Sequence, residues 1–368
     1  MNYRVISGDS HVNEPPNCFR DRLPSHLREA GPKVVETGDG GEGWTVEGRP
    51  PMPFGLGSLA GKSFEEYRDK GLRFSDLLAG NYDPIEHLKD QDRDGVDASV
   101  IYPGFAMGLP TIKDRELRLA CFRAYNDWLF DDFAAANPQR IIALAMLPVD
   151  DGIDVAVEEL RRCVRKGHRG AILPTYPDKL FTDPQYEPLW AAAQELDAPL
   201  HFHRAIGRNI PRGMSVTPHP GTMVASIVLR FFAALEPLSH IVFSGALHRF
   251  PGLKVVSAES DGGWLAFFMI LCDDQFNRQR HWSRLELTAP PSEYIRRQVY
   301  ITFMDDAVAC ANLKFTGSDN LIWASDYPHS VTTWPNSRSY IEKQMAPCTL
   351  EERAKLCAGN AVRLYHLE

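Results

Sequence analysis

The features missing from this 368-residue chain narrow its chemistry first. No GxxxxGK[ST] occurs, and no GxGxxG links an early strand to a helix, so a nucleotide-binding sheet has little support. Positive excess is missing too. The 40 Lys and Arg against 48 Asp and Glu leave a net charge of −8, the opposite of the basic stripe that a nucleic-acid footprint needs. The chain has no uninterrupted run of about 18 apolar residues, and no membrane span is expected. The start, MNYRVISGDSH, has neither the basic head nor the apolar stretch of a secretory signal. The seven cysteines, at 18, 121, 163, 272, 310, 348 and 357, form no CxxC pair, and none stands at ligand spacing from a histidine. Reduced, buried thiols in a cytoplasmic protein are the expectation.

What is present is enough apolar residue, 44%, to bury a sizeable core and enough charge, 24%, to keep its surface wet. Strand-like runs rich in Val, Ile and Leu recur at 3–9, 97–103, 140–148, 170–174, 198–203, 240–245, 253–259 and 321–328. They read as continuous apolar runs rather than alternating ones, as parallel strands buried on both faces do. Between them, 115–137, 154–167, 183–197, 262–280 and 349–365 carry apolar residues at three- and four-residue steps, the period of an amphipathic helix. Eight such strands alternating with helices predict an α/β fold, a (β/α)₈ TIM barrel spanning 1–368 as one domain, with an open doubly wound sheet as the alternative. Residues 24–80 break the alternation. They are rich in breakers yet contain Trp44, Met52, Phe54 and Leu56, which predicts a packed lid inserted after the first strand, at the barrel mouth.

Polar residues gather where the strands end. The stretch VISGDSHVNEPP (5–16) places Asp9 and His11 two apart, on one side of a strand. Strand five ends in His201 and His203, again two apart; the run at 253–259 ends in Glu259; the last strand runs to Asp326, with His329 beyond. Each has a bland reading: Asp9 or Asp326 as a turn residue, His203 as a satisfied core histidine, Glu259 as an N-cap acid for the helix near Gly262. His248 reads as structural. Taken jointly, acids and imidazoles meeting at the C-terminal mouth of a barrel suit a divalent metal, Zn²⁺ first, with a position left for water.

The stretches DSHVNEPP, GHRGAILP, DPQYEPLWAAAQELDAPLHFH, HRFPGLKVVSAESDGGWL and IWASDYPH resemble the amidohydrolase-related family of metal-dependent hydrolases and decarboxylases, in the family's order from residue 3 to about 365. The resemblance implies a metal-dependent barrel holding one ion, Zn²⁺ or in some members Mn²⁺, a homodimer or dimer of dimers, and metal ligands at Asp9, His11, His203 and Asp326, with His201 as the alternative strand-five ligand. It also implies that Asp326 is the acid/base. Where decarboxylases of the family carry a relay histidine, this chain has Glu259. A carboxylate there would repel a substrate carboxylate. The leading expectation is therefore a metal-dependent hydrolase of a small cyclic or aromatic compound, with Asp326 and Glu259 catalytic. A non-oxidative decarboxylase of an aromatic or muconate-type carboxylate is the alternative. Arg204 and His329 are expected to meet the substrate, with Arg208 and Arg212 nearby. The apolar face of 262–280, with Trp264, Phe267, Phe268 and Ile270, is expected to join two copies.

Overall fold

A computed structural model describes residues 3–204, 206–214 and 219–367. Eight parallel strands form its centre: β1 (Ile6–His11), β2 (Ala98–Tyr102), β3 (Ile141–Ala143, continued by Ala145–Met146), β4 (Ala171–Ile172), β5 (Leu200–His203), β6 (Val255–Ala258), β7 (Val299–Phe303) and β8 (Leu321–Trp323). The two parts of β3 pair with β2 and β4 respectively. The ring closes where the chain beyond β8 meets β1: Ser10 bridges Tyr327 in parallel, and Asp326 N–H donates to Asp9 O at 3.0 Å. This is a TIM barrel.

The period-2 alternation of β5 shows how the barrel sorts its residues. Leu200 and Phe202 pack outward among the helix-facing core, while His201 and His203 face the interior, paired with Val256 and Ala258 of β6. β1 carries a one-residue bulge: Ser7 pairs with Ser99 and Ser10 with Ile101. Bulges of this kind re-aim side chains, and this one sits beside Asp9. At Gly8, within the bulge, a Cβ would lie 2.6 Å from Ile322 Cγ2, so only glycine lets β1 approach β8 this closely.

Two strand expectations change. Residues 240–245 are not a strand; they end the helix Leu235–Phe243, whose Leu238, Ile241 and Val242 are buried at helical spacing. The strand that completes the eight is instead β7, Val299–Phe303. Its single Thr and two aromatics among β-branched residues gave a weaker apolar signal than HIVF. Glu259 consequently follows the sixth strand, not the seventh. The stretch Pro220–Phe243 also carries an apolar window of mean hydropathy 1.5, long enough by length and composition to span a bilayer, which the reading missed. Here it is two helices, Pro220–Arg230 and Leu235–Phe243, with the second packed into the core.

The 24–80 segment folds as an antiparallel sheet of Lys33–Glu36, Glu42–Thr45 and Met52–Pro53, followed by short 3₁₀ turns. Trp44 is buried and stacks on Phe105 with centroids 4.7 Å apart; Phe54 is buried and Leu56 half-buried, but Met52 is exposed. Leu56 O accepts from Ser330 N–H at 2.7 Å and Ala60 N–H donates to Pro328 O at 3.0 Å, which seats the segment over the loop that carries Asp326 and His329.

Candidate metal centre

The chain turns sharply at three of the strand ends. Arg204 after β5, Glu259 after β6 and Asp326 have φ of 38°, 48° and 51°, the left-handed region that non-glycine residues seldom occupy. Such conformations persist where surrounding structure enforces them, and they cluster at functional sites. Thr302 Oγ1 accepts from Glu259 N–H at 3.0 Å, and the Asp9 carbonyl holds Asp326 N–H. Beneath them, Ser7 Oγ donates to Asp9 O at 2.7 Å and accepts from Ser325 N–H at 2.9 Å, tying β1 to the chain after β8.

Asp9, His11, His203, Glu259 and Asp326 converge, all essentially buried, with His329 at the rim. His11 Nε2 lies 3.3 Å from Asp9 Oδ1, 3.3 Å from Asp326 Oδ1 and 3.1 Å from His203 Nε2. His203 Nε2 is 3.1 Å from Glu259 Oε2, and His329 Nδ1 is 3.1 Å from Asp326. His11 Nδ1 is 2.9 Å from the Pro103 carbonyl. A carbonyl only accepts, so the proton sits on Nδ1 and Nε2 presents its lone pair to the cluster, the orientation that ligating histidines are given by a hydrogen-bonding neighbour.

Two buried Nε2 atoms and three carboxylates facing one small volume are an unstable set without a cation among them. Both Asp9 oxygens, Asp326 Oδ1 and Glu259 Oε2 lack a hydrogen-bond partner among the described residues. Candidate ligand atoms of Asp9, His11, His203 and Glu259, and of His11, Glu259, Asp326 and His329, lie within 4.8 Å of one another. The donors fit a divalent metal ion.

The electrostatics agree. Burial works against protonating His11, yet the adjacent Asp326 and Asp9 carboxylates raise its pKa well above the usual imidazole value. Burial likewise opposes ionising Asp326, but His329 and His11 hold its carboxyl well below the carboxylate range. For Glu259, burial pushes the carboxyl up; Arg204 opposes this, and the Asp326 and Asp9 charges reinforce it. His203 and His329 are lowered by burial, His329 to about 4. This field favours positive charge at the centre of the cluster.

The other candidates separate cleanly. His201 lies one pleat deeper, its Nδ1 2.6 Å from Tyr102 Oη, and is in neither ligand group. Arg204 forms an ion pair with Glu259 through Nη2 and lies over the Phe231 ring at 5.0 Å. Arg208 pairs with Asp178 at 2.8 Å, and Arg212 is exposed. His248 Nδ1 lies 3.1 Å from Tyr294 Oη. Glu14, the third ionisable group of the opening stretch, accepts from the N–H groups of Gly104, Phe105 and Ala106 and organises the loop after β2. Arg230, not among the sequence candidates, lies close enough for its charge to act on Arg204 and Glu259, and its Nε donates to Met214 O at 2.8 Å. Nothing in the stretch IVLRFF singles it out.

A parallel β/α barrel with a metal-competent cluster of acids and imidazoles at its C-terminal mouth defines a class, the metal-dependent barrel enzymes. Residues 79–367 match the model of the amidohydrolase family, and the chain belongs to that family, within the amidohydrolase superfamily. It is 24% identical over 307 residues to gamma-resorcylate decarboxylase of Rhodococcus jostii, covering 76% of this chain and 87% of that protein. It is 28% identical over 263 residues to decarboxylase orsB of Emericella nidulans, covering 66% and 72%. In fold it is similar to an amidohydrolase of Mycobacterium avium subsp. paratuberculosis, with a TM-score of 0.81, 20% identity and coverage of 99% and 100%. A dihydroxybenzoic acid decarboxylase of Polaromonas with bound manganese gives a TM-score of 0.66 at 18% identity, covering 100% and 98%. These relatives favour the decarboxylase alternative over the hydrolase expectation.

Proposed function

We propose that the protein is a metal-dependent, non-oxidative decarboxylase of an aromatic carboxylate. The observation that carries this reading is the buried ion pair between Glu259 and Arg204. An unpaired Glu259 carboxylate would repel a substrate carboxylate and favour hydrolysis. Paired with a guanidinium, its charge is compensated locally, and that objection falls away. Two relatives that bear the name decarboxylase support the same reading.

Asp9, His11, His203 and Asp326 are the residues proposed to hold the ion, Mn²⁺ or Zn²⁺. When bound, such an ion supplies Lewis acidity to substrate oxygens. Asp326, with His329 at 3.1 Å, is the pair proposed to handle the proton. The proton is delivered to the ring carbon that bears the carboxylate; the carbon–carbon bond then breaks, its electron pair restores the aromatic ring, and CO₂ leaves. Arg204 Nε has no hydrogen-bond partner among the described residues and is proposed, with His329, to meet a substrate oxygen. The 24–80 segment is proposed to keep bulk water from the site. All seven cysteines are free and buried, in keeping with a reducing compartment such as the cytoplasm.

The test is an assay of the Mn²⁺- or Zn²⁺-loaded enzyme against hydroxybenzoates, reading CO₂ and the decarboxylated phenol, beside a panel of lactones and amides. Equal release of CO₂ and phenol is expected, with Asp326→Asn slower by about 10²–10⁴-fold. Hydrolytic products without CO₂ would overturn the proposal in favour of a hydrolase.

A further inference from the structure

Glu259 enters the sequence reading as a proton relay beside the metal. The geometry gives it a closer place. We propose that Glu259 is itself a metal ligand through Oε2, with Arg204 holding Oε1 and balancing the added charge. The inference rests on the metal-dependent reading above and adds a residue to its coordination shell.

Position is the first support. Glu259 Oε2 lies 3.1 Å from His203 Nε2, and Glu259 and His11 are the residues shared by both groups of converging ligand atoms. Glu259 is fully enclosed; Arg204 pairs with its Oε1, and Oε2 has no hydrogen-bond partner among the described residues. Oε2 points at the atoms of the other candidate ligands, as a ligating lone pair must.

Charge is the second. A divalent ion among Asp9 and Asp326 is neutral as a unit. Adding the Glu259 carboxylate leaves one excess negative charge in a dry site, and the Arg204 guanidinium at Oε1 restores neutrality. Arg204 and Glu259 each leave their strands through the same left-handed turn that Asp326 adopts, so the backbone that aims the Asp326 carboxylate inward also aims this pair.

The chemistry follows. Two imidazoles and three carboxylates make an oxygen-rich set of donors that would suit an ion of the Mn²⁺ kind.

The experiment titrates metal-free wild type, Glu259→Gln and Glu259→Ala with Mn²⁺ by calorimetry. It also counts metal-bound waters by ¹⁷O electron–nuclear double resonance of the Mn²⁺-loaded proteins. Both variants are expected to bind Mn²⁺ at least about tenfold more weakly, and Glu259→Ala is expected to gain one metal-bound water. Weakening without the extra water would overturn the inference, because a hydrogen-bonding neighbour of the ligands costs about 10–100-fold by itself. Unchanged affinity and water count would overturn it as well and return Glu259 to the relay role. Should Glu259→Ala fail to fold, Glu259→Asp, one methylene shorter, is read by the same water count. A wild type that binds no divalent ion would instead sink the metal-dependent reading itself, so the two failures are distinct.

Discussion

At the scale of single residues, the two strand-five histidines make the sharpest contrast. They differ by one pleat, about 6.6 Å along the strand, and that spacing separates a candidate ligand from a residue of the barrel interior. His203 Nε2 faces the cluster, whereas His201 Nδ1 is engaged by the Tyr102 hydroxyl. His203→Ala is expected to lose the metal and the activity together, read by elemental analysis of the purified protein beside turnover. His201→Ala should keep about one ion per chain and lose stability instead, by roughly 1–3 kcal/mol for the hydrogen bond and void left behind. Metal retained by His203→Ala would move the ligand assignment to His201. The sequence could not choose between them, because period 2 puts both side chains on the same face and says nothing of depth.

At the scale of elements, the site depends on how closely β1 lies against β8. The Ser7–Ser325 hydroxyl contact and the Ser10–Tyr327 bridge close the barrel there, and Gly8 is the residue that permits it. In Gly8→Ala the new methyl would meet Ile322 Cγ2 at 2.6 Å, in strands packed on both sides. Overpacking of this kind costs about 1–3 kcal/mol, and the shift is transmitted to Asp9, the next residue. A lower melting temperature accompanied by weaker metal binding is the expected pair of results; a variant as stable and as metal-competent as wild type would mean that the closure has slack. The element reading was right where β/α alternation was strong and failed at 240–245 and 299–303. Leu238, Ile241 and Val242 have helical spacing, but the β-branched run HIVF masks it. Val299–Phe303 is a strand because it docks between β6 and β8, a partnership that local composition does not report.

At the scale of the whole molecule, two expectations concern surface and pH. The helix Leu265–Ser283 exposes Phe267, Ile270, Leu271 and Trp282, with Phe267 68% and Trp282 74% accessible. Phe268 is buried and Trp264 half-buried, so the outward face is narrower than the sequence suggested. We propose that this face joins two copies: light scattering should give about twice 41.4 kDa at micromolar concentration, and Phe267→Glu should shift the mass toward the monomer. A monomeric wild type would count against it. The pH expectation comes from His87 and His168, whose pKa values burial lowers to about 4 from 6.5. Both stay neutral in the fold, while the unfolded chain takes up protons below about 6.5. Stability is therefore full above that pH and falls as pH drops from about 6.5 to 4, by at most about 3 kcal/mol for each histidine. His87 is held by the Gly80 carbonyl and the Ser99 hydroxyl, and His87→Gln should flatten this acid slope in denaturant titrations. An unchanged slope would assign the acid sensitivity to other groups.

The sequence by itself determined the barrel class and the residues from which a metal site could be built, because those are local facts. Strand periodicity, strand–helix alternation and an acid or histidine at a strand end are each written within a dozen residues. Tertiary structure alone decided the rest. It placed His203 in the cluster and His201 one pleat deeper, paired Glu259 with Arg204 across two neighbouring strand ends, and joined Asp9 to Asp326 through the closure of β1 on the chain after β8. Those relations depend on distances between residues far apart in the chain, and the charge each group carries is set by its buried neighbours rather than by its own side chain.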